Sequence, residues 1–393
     1  MDSNVLFATL RPLALECASE FVGTFVLVFL GTAGIATAAF TGPDSWDLAI
    51  EQVAIGWGFA AMLATFIASP GSGAHLNPAV TLAIAVSPHG RSGFPKRKIP
   101  AYMLFQLLGA TFAALAVYVM FGSAIKRFED RLGLSRGAPS SSLSAVAFGA
   151  SFPHPQLVYG KHEEDSSLWN KSDVSALGTV FLEALGTLLF VLVQRVVRQP
   201  IQPTGVVAFT SSTSGGGGGG AIHENNDLPP PRMPSTPLAP LYVGAALAAL
   251  TMVMTPFTQA CLNPARDFGP RMVAAIAGWG SVALPGDRAD SCWVYLVGPF
   301  VGALAGSLLY DVVIHPGLQT RDEAAAAWMR HQQIEGEAIL EQLEKSQTLL
   351  SVAPGGGFDP LATRGLHHSD FRDSPTPHNY RLSSPGHLHT YAA

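Results

Sequence analysis

Charged side chains are scarce in this sequence. Asp, Glu, Lys and Arg make up only 13% of its 393 residues, whereas soluble domains carry about 25%. This deficit argues against a protein that is surrounded by water on all sides. The net charge of −5 offers no basic surface, so we expect no nucleic-acid partner.

Residues that carry catalysis in familiar patterns are few as well. Three cysteines occur, Cys17, Cys261 and Cys292, and they define no disulfide framework. The sequence has no glycine-rich nucleotide loop, no cluster of metal ligands, and no Cys/His or Ser/His pairing at a suitable spacing. We therefore predict that the protein is not an enzyme and uses neither a metal nor a cofactor.

Long apolar runs, by contrast, are abundant. Hydrophobic residues make up 48% of the chain, and about 20 consecutive apolar residues are enough to cross a bilayer. The 40 glycines and 29 prolines are tolerated in membrane helices, because neighbouring helices satisfy the freed backbone groups. Six stretches are long enough to span: residues 13–40, 48–68, 99–121, 174–197, 238–257 and 294–314.

Two further apolar stretches, residues 74–86 and 261–277, are too short to span. Each carries an Asn-Pro-Ala triplet near its start, and proline favours the first position of a helix. Short apolar helices among membrane spans are typical of half-helices that enter the bilayer and turn back. The sequence therefore predicts an all-α membrane protein with six transmembrane helices and two re-entrant half-helices.

The chain repeats one pattern twice. Glu20-Phe-Val-Gly-Thr in the first span matches Glu183-Ala-Leu-Gly-Thr in the fourth, and each Asn-Pro-Ala triplet follows a leucine. Each half has three spans, an odd number, so the halves insert with opposite polarity. Inverted repeats place the functional site near the midplane. We predict a first repeat at residues 13–121 and a second at residues 174–315.

The basic residues between the spans predict the orientation, because cytoplasmic loops are rich in Lys and Arg. The loop at residues 41–51 holds three acidic residues and no basic one, which is typical of the opposite side. Both termini, residues 1–12 and 316–393, are therefore predicted to be cytoplasmic, and the long loop at residues 122–173 external. The basic residues on the cytoplasmic side are Arg91, Lys96, Arg97, Lys98, Arg195 and Arg198.

Three segments have the composition of poorly ordered chain. Residues 199–237 form a glycine- and proline-rich insert within the second repeat, residues 135–144 are rich in serine, and residues 354–393 are rich in Pro, His and Ser. In the tail, residues 321–350 favour a helix with a partial apolar stripe. That helix is either solvated or a surface for an unidentified tail-binding protein.

The two triplets predict a pair of facing helix N-termini at the centre of the membrane. Each N-terminus carries a charge of about +0.5 and free N–H groups. The side-chain amides of Asn77 and Asn263 can then donate to a water or hydroxyl oxygen, and the positive ends disfavour cations. The candidate pore residues of the two motifs are Asn77, Pro78, Ala79, Asn263, Pro264 and Ala265.

Glu20 and Glu183 are acidic residues within apolar spans, which is unfavourable unless each carboxylate is paired. Their matched positions in the two repeats favour a structural role. We predict that each accepts hydrogen bonds from backbone N–H groups of a re-entrant segment, and that His75 assists beside the first triplet.

The sequence around both triplets, Ser72-Gly-Ala-His-Leu-Asn-Pro-Ala-Val-Thr81 and Leu262-Asn-Pro-Ala-Arg-Asp-Phe-Gly-Pro-Arg271, resembles the major intrinsic proteins, the aquaporin superfamily. The resemblance covers about residues 13–315. It implies a homotetramer in a lipid bilayer, with one pore for each subunit. The plasma membrane is the default for the family, and a vacuolar or other internal membrane is the alternative. Asp267 and Arg271 resemble the glycerol-conducting branch, and residues 94–128 and Glu224-Asn-Asn are similar to fungal aquaglyceroporins.

The resemblance also implies a four-residue selectivity constriction at Trp57, Thr251, Ala260 and Arg266. Trp57 stands twenty residues before Asn77, as in the bacterial glycerol facilitators, and favours glycerol and water as permeants. Ala260 replaces an aromatic residue of those facilitators, and Tyr295 replaces a proline. A broader channel for urea, ammonia or peroxide and a water-selective channel therefore remain as alternatives.

Two further hypotheses concern other parts of the chain. A non-conducting scaffold or adhesion protein built on the same fold is the alternative from a different class, and the long tail favours it slightly. Asn170-Lys-Ser is a candidate site for N-glycosylation in the external loop.

Overall fold

The structure is a computed structural model that describes residues 3–42, 49–87, 94–159, 169–198, 238–286, 288 and 291–352. The chain divides into two compact units, Met1–Ala327 and Trp328–Ala393. The predicted insert at 199–237 and the predicted disordered tail at 354–393 lie outside the described residues.

All regular elements in the described ranges are helical. Six of the helices found there are long and apolar enough to cross a membrane, which confirms the predicted all-α class. The α-helices are α1 (Ser3–Phe40), α2 (Ile50–Ser72), α3 (Pro78–Val86), α4 (Ile99–Leu132), α5 (Ser142–Ala145), α6 (Pro155–Tyr159), α7 (Ala176–Val197), α8 (Ala239–Thr258), α9 (Pro264–Ala274), α10 (Ser291–Leu309) and α11 (His315–Val352). Short 3₁₀ or π segments lie at Lys96–Lys98, Pro139–Ser141, Ala275–Trp279, Gly280–Val282 and Tyr310–Ile314.

The packing of the helices repeats the duplication in the sequence. In the first half α1 packs against α2 and α4, and in the second half α7 packs against α8 and α10. The half-helices cross over: α3 packs against α10, and α9 packs against α4. Each half-helix therefore packs mainly against the opposite repeat and makes a smaller contact with its own.

Close approach of the helices depends on small residues at matched positions. A Cβ atom on Gly109 would clash with the backbone of Phe21, and a Cβ atom on Gly302 would clash with the backbone of Ala184. These glycines lie on α4 and α10, where the two helices contact α1 and α7. Small residues at such contacts are typical of helices that pack within membranes.

The helix surfaces that face away from the bundle are apolar. Large exposed hydrophobic side chains occur on every long span, for example Phe66, Val119, Leu177, Val253 and Leu308. An apolar outer surface of this extent is suited to lipid and unsuited to water.

The loop between the third and fourth spans differs from its prediction. Helix α4 continues to Leu132, beyond the predicted end of the span at residue 121. Residues 139–144 are helical and residues 141–144 are buried, so the prediction of poor order for residues 135–144 is wrong. Trp279 Nε1 donates to Ser144 Oγ at 2.9 Å, and Leu143 joins an apolar cluster. Tertiary contacts thus order a segment whose composition alone predicts a flexible loop.

The second unit contains the C-terminal part of α11. This helix covers the predicted helix at residues 321–350, and its side chains Trp328, Ile339 and Leu343 are exposed. The apolar stripe therefore has no partner within the described part of this unit.

Candidate functional site

The two Asn-Pro-Ala triplets begin the two half-helices. Pro78 and Pro264 are the first residues of α3 and α9. Asn77 Oδ1 accepts a hydrogen bond from the Ala79 N–H at 2.9 Å, and Asn263 Oδ1 accepts one from the Ala265 N–H at 3.0 Å. Each asparagine is therefore the N-cap of its helix, which fixes the orientation of its amide.

The asparagines also join the two repeats. Asn77 Nδ2 donates to the Leu262 carbonyl at 2.8 Å, and Asn263 Nδ2 donates to the Leu76 carbonyl at 2.7 Å. The contacts are reciprocal, so the two triplets meet at a pseudo-two-fold axis. A side-chain amide has two N–H groups, and this contact uses one of them. One N–H of each asparagine is left to donate to a molecule in the pathway.

The backbone before each triplet adopts an uncommon conformation. Ala74 and Leu76 have φ of 52° and 54°, and Ala260 and Leu262 have φ of 47° and 54°. Residues other than glycine rarely occupy this left-handed region, and they persist there only when the surroundings hold them. In both repeats every second residue of this segment has a left-handed φ. This conformation turns the carbonyl groups of the segment away from the direction that they have in a regular helix.

Glu20 holds the first of these segments. Its Oε1 accepts from Ser72 Oγ at 2.6 Å and from the His75 N–H at 2.8 Å. Its Oε2 accepts from the Leu76 N–H and from Gln106 Nε2, both at 2.7 Å. Four donors for one carboxylate compensate its complete burial.

Glu183 holds the second segment in the same way. Its carboxylate accepts from the Cys261 N–H at 3.0 Å and from the Leu262 N–H at 2.7 Å. The Thr258 hydroxyl is a further side-chain partner. Cys261 is buried, and its Sγ lies 3.5 Å from the Asn263 carbonyl.

His75 lies beside the first triplet. Its Nδ1 is 3.3 Å from Thr81 Oγ1, and its ring packs against Phe94 and Tyr102 with centroids 4.8 and 5.1 Å away. Thr81 also accepts from Gln106 Nε2 at 2.9 Å. His75 is thus connected through Thr81 and Gln106 to the same network as Glu20.

Two cavities follow each other through the bundle. The cavity that contains both asparagines is called the inner cavity here, and the cavity on the side of the loop at residues 122–159 is called the outer cavity. Trp57 lines both cavities, and Ala260 and Arg266 line the inner one next to it. The Arg266 guanidinium carbon lies 4.6 Å from the centroid of the Trp57 ring. The structure therefore brings these three predicted residues together where the cavities meet.

Thr251 takes a less direct position. It is buried on α8, one helical turn from Leu247 in the inner cavity and one turn from Thr255 in the outer cavity. Its carbonyl accepts from Thr255 Oγ1 at 2.6 Å. Thr251 itself is absent from the lining of both cavities and lies at the level between them.

Asp267 lies away from both cavities and holds the loop. Its carboxylate accepts from Arg271 Nε at 2.6 Å and from the Ala150 N–H at 2.8 Å. Arg271 donates to the Ala283 carbonyl at 2.9 Å and also to the Ala150 carbonyl. Asp267 and Arg271 therefore clamp residue 150 from both sides of its peptide backbone.

Tyr295 is also outside the lining of the two cavities. Its hydroxyl donates to the Thr258 carbonyl at 3.2 Å, and its ring meets Phe152 edge-on at 6.0 Å. The tyrosine therefore supports the segment before the second triplet from behind. Asn170, the candidate glycosylation site, is exposed in a turn that Asp173 closes.

Sequence reasoning missed several residues in or beside the pathway, among them Gly31, His154 and Gln259. Gly31 provides the space for Trp57, since a Cβ atom there would overlap the indole ring. His154 and Gln259 line the outer cavity. The glycine could have been suspected from its place in an apolar span, whereas His154 reaches the cavity only because the loop folds back.

The fold and the site define a class of protein: a membrane channel built from an inverted repeat, with its pathway between the two halves. The chain belongs to the major intrinsic protein family, whose sequence profile matches residues 10–200 and 227–310.

Similar proteins include several facilitators of bacteria. The glycerol uptake facilitator protein of Pseudomonas aeruginosa is 31% identical over 300 residues, which cover 76% of this chain and 88% of the relative. The protein of the same name from Haemophilus influenzae is 31% identical over 77% of this chain and 95% of its own length. The propanediol uptake facilitator PduF of Citrobacter freundii is 29% identical, with 77% and 93% covered.

Among solved structures, the chain is similar to the aquaglyceroporin from Plasmodium falciparum. The TM-score is 0.54 and the sequence identity is 25%. The alignment covers 78% of this chain and 99% of the other.

Proposed function

We propose that this protein is a passive channel for glycerol and water that excludes ions and protons. One observation carries the proposal: Trp57 and Arg266 meet at 4.6 Å between two cavities, and the inner cavity holds two asparagine donors. An indole face beside a guanidinium suits a solute with a carbon edge and a hydroxyl edge. Glycerol has both.

The chemistry of passage follows from the donors along the route. Arg266 offers N–H groups to the hydroxyl oxygens of the solute, while the Trp57 ring contacts its C–H groups. Deeper in, the free N–H groups of Asn77 and Asn263 donate to the same oxygen type. A water oxygen that accepts from both asparagines directs its own hydrogens away from the centre, which interrupts a proton wire.

Cations meet an unfavourable potential on this route. The N-termini of α3 and α9 both point to the centre, and each adds a partial positive charge of about +0.5. Arg266 adds a positive charge in the inner cavity, beside Trp57 where the two cavities meet. Uncharged solutes pass these groups without an electrostatic barrier.

The relatives support glycerol as a permeant. Proteins of similar sequence are named as uptake facilitators for glycerol and for propanediol, and both solutes are small polyols. The small side chain of Ala260 favours a broader range of neutral solutes, such as urea, as the second candidate. The position of Tyr295 behind Thr258 gives no support to a narrow, water-selective pore.

The assembly and the membrane are further parts of this proposal. The apolar outer surface of the spans and the family membership support a homotetramer in the plasma membrane. The distribution of basic residues supports cytoplasmic termini. The intact triplets argue against a non-conducting scaffold, although the exposed stripe on α11 leaves room for a tail-binding partner.

Light scattering of proteoliposomes tests the proposal. Vesicles with the purified protein are mixed with an impermeant solute, and separately with glycerol. Fast shrinkage followed by fast re-swelling in glycerol is the expected result, and vesicles with the double variant Arg266→Val, Trp57→Ala serve as the comparison for selectivity. Collapse of proton and sodium gradients should leave both fluxes unchanged. Water flow without re-swelling would exclude glycerol, and the absence of both fluxes in folded tetramers would favour the scaffold.

A further inference from the structure

The outer cavity has two faces of different chemistry. Ile35, Val53 and the Trp57 ring form an apolar face. His154 from the loop and Gln259 from the segment before the second triplet belong to the polar part of the lining. No Asp, Glu, Lys or Arg is part of the lining among the described residues. The cavity therefore suits an uncharged molecule with one apolar and one polar edge.

The ring of His154 presents a hydrogen-bond donor to this cavity. The side chain is only 6% exposed, and the His154 N–H donates to the Pro256 carbonyl at 3.0 Å, which holds the loop in place. The backbone N–H of Gln156 donates to Nδ1 at 3.3 Å, so the neutral ring carries its hydrogen on Nε2. Nε2 has no hydrogen-bond partner among the residues that the structure describes.

Burial keeps this ring in the donor form that the geometry requires. The apolar surroundings lower the pKa of His154 to about 3, so the ring is neutral at physiological pH. A neutral ring with its hydrogen on Nε2 offers one donor and no net charge to the solute.

Gln259 also lines the cavity and carries a second donor that is not used. Its side chain is also only 6% exposed, and Nε2 is buried without a hydrogen-bond partner in the described part of the chain. The backbone is fixed on both sides: the N–H donates to the Thr255 carbonyl at 3.3 Å, and the carbonyl accepts from Arg266 at 3.4 Å. Buried amide groups without a partner are rare in folded proteins and call for a ligand or a water.

We propose that the outer cavity is a binding site for a small polyol, with His154 and Gln259 as its specificity-determining residues. This inference rests on the proposed function, because it concerns the site that binds the permeant before it reaches the constriction. His154 Nε2 and Gln259 Nε2 donate to the hydroxyl oxygens, and the C–H edge packs against Trp57. Urea has no C–H edge to pack against Trp57, so the site favours polyols over urea.

Two variants remove one donor each with little change in volume. Gln259→Met keeps the length of the side chain, and His154→Phe keeps a ring. The matched controls are Gln342→Met and His331→Phe, which make the same replacements at exposed positions of α11. Permeabilities of proteoliposomes to glycerol, urea and water are measured for all five proteins.

Each cavity variant should lower glycerol permeability by about two- to tenfold, the effect of one lost hydrogen bond. Permeabilities to water and urea should stay within twofold of the parent, and the controls should change none of the three. A uniform loss of all three fluxes would mean that the residues only support the loop, and unchanged glycerol permeability in both variants would overturn the proposal. If His154→Phe does not assemble, because Gln156 loses its acceptor, Gln259→Met carries the test alone.

Inhibition of water flux separates this proposal from the proposed function. A polyol held in the outer cavity stands in series with the constriction, so glycerol at equal concentration on both sides should slow water flow in the parent. Gln259→Met should relieve that inhibition. Inhibition that Gln259→Met relieves would support the binding site even if glycerol itself failed to cross. Re-swelling in glycerol, with water flow that glycerol does not slow and that Gln259→Met does not change, would support the channel and reject the binding site.

Discussion

The two sides of the pore share one backbone frame but differ in two decisive side chains. Trp57 stands twenty residues before Asn77, and Val243 stands twenty residues before Asn263. Arg266 stands three residues after Asn263, and the matching position after Asn77 is a valine at residue 80. Trp57 and Arg266 lie on the side of the pore next to the outer cavity, called the outer side here. On the opposite side, the inner side, the two matching positions are both valines.

The other two positions of the constriction are the same on both sides. Thr251 and Thr65 each stand twelve residues before an asparagine, and Ala260 and Ala74 each stand three residues before one. Thr65 and Ala74 line the inner cavity together with Asn77 and Asn263. Threonine and alanine are thus common to both sides, so among the four constriction positions the chemical difference between the sides depends on Trp57 and Arg266.

The frame itself is held by the two buried glutamates, and their removal should have the largest effect. Glu20→Leu leaves the buried N–H groups of His75 and Leu76 without an acceptor, and each unpaired buried group costs about 1–3 kcal/mol. Ser72 Oγ and Gln106 Nε2 each lose one of their two acceptors. We expect the variant to lose several kcal/mol of stability, and Glu183→Leu somewhat less because it has fewer partners. Thermal unfolding of detergent-solubilised protein measures both, with the exposed Glu335→Leu as control. A glutamate variant as stable as the parent would show that the re-entrant segments hold themselves.

Arg266→Val makes the outer side resemble the inner side, and it should have the second-largest effect. Hydrogen bonds from a charged donor contribute about 1.5–3 kcal/mol, so the preference for glycerol over urea should fall by about tenfold or more. The positive charge is lost as well, so proton leakage should rise. Stopped-flow light scattering and a pH-sensitive dye inside the vesicles measure the two effects. Arg266→Lys keeps the charge and should leak fewer protons than the valine variant. Unchanged selectivity and leakage in Arg266→Val would place the filter elsewhere.

Gly31→Ala tests whether the space behind Trp57 sets the width of the constriction. The added Cβ atom would overlap the indole ring, so the ring must move towards the pathway. Overpacking without this movement would cost about 1–3 kcal/mol of stability, so the ring should shift, narrow the pathway and lower glycerol permeability. Gly34→Ala on the same helix meets open space and should have no effect. If the ring is responsible, the double variant Gly31→Ala, Trp57→Val should behave like Trp57→Val alone.

The frame was predictable from the sequence because its signals are local and occur twice. The triplets mark the starts of α3 and α9, and the matched acids at positions 20 and 183 point to their backbone donors. The repeat also predicts that the halves face each other, as Asn77 and Asn263 do. Each of these features depends on residue type and spacing alone.

The outer loop was not predictable, because its order depends on distant contacts. Hydropathy marks where α4 leaves the apolar layer, but the polar residues after position 121 still favour a helix, which continues to Leu132. The serine-rich residues 135–144 are ordered by Trp279, which follows more than 130 residues later in the chain. His154 enters the outer cavity only because the clamp at Ala150 folds the loop back.

Acid should weaken this loop, and the effect is the smallest that we expect. Burial lowers the pKa of His154 to about 3, while a displaced, solvated histidine titrates near 6.5. Between these two pKa values the displaced loop binds a proton and the docked loop does not. Docking of the loop is therefore fully favourable above about pH 6.5 and weakens as the pH falls towards 3. The docking equilibrium constant falls by at most about tenfold for each pH unit. The ratio of glycerol to water permeability should therefore fall by a few-fold between pH 7.5 and 4.5 and approach that of His154→Phe. The variant should have a ratio that is low and independent of pH. If this permeability ratio changed equally with pH in the parent and in His154→Phe, a group other than His154 would be responsible. Docking of the loop would then not depend on the protonation of His154.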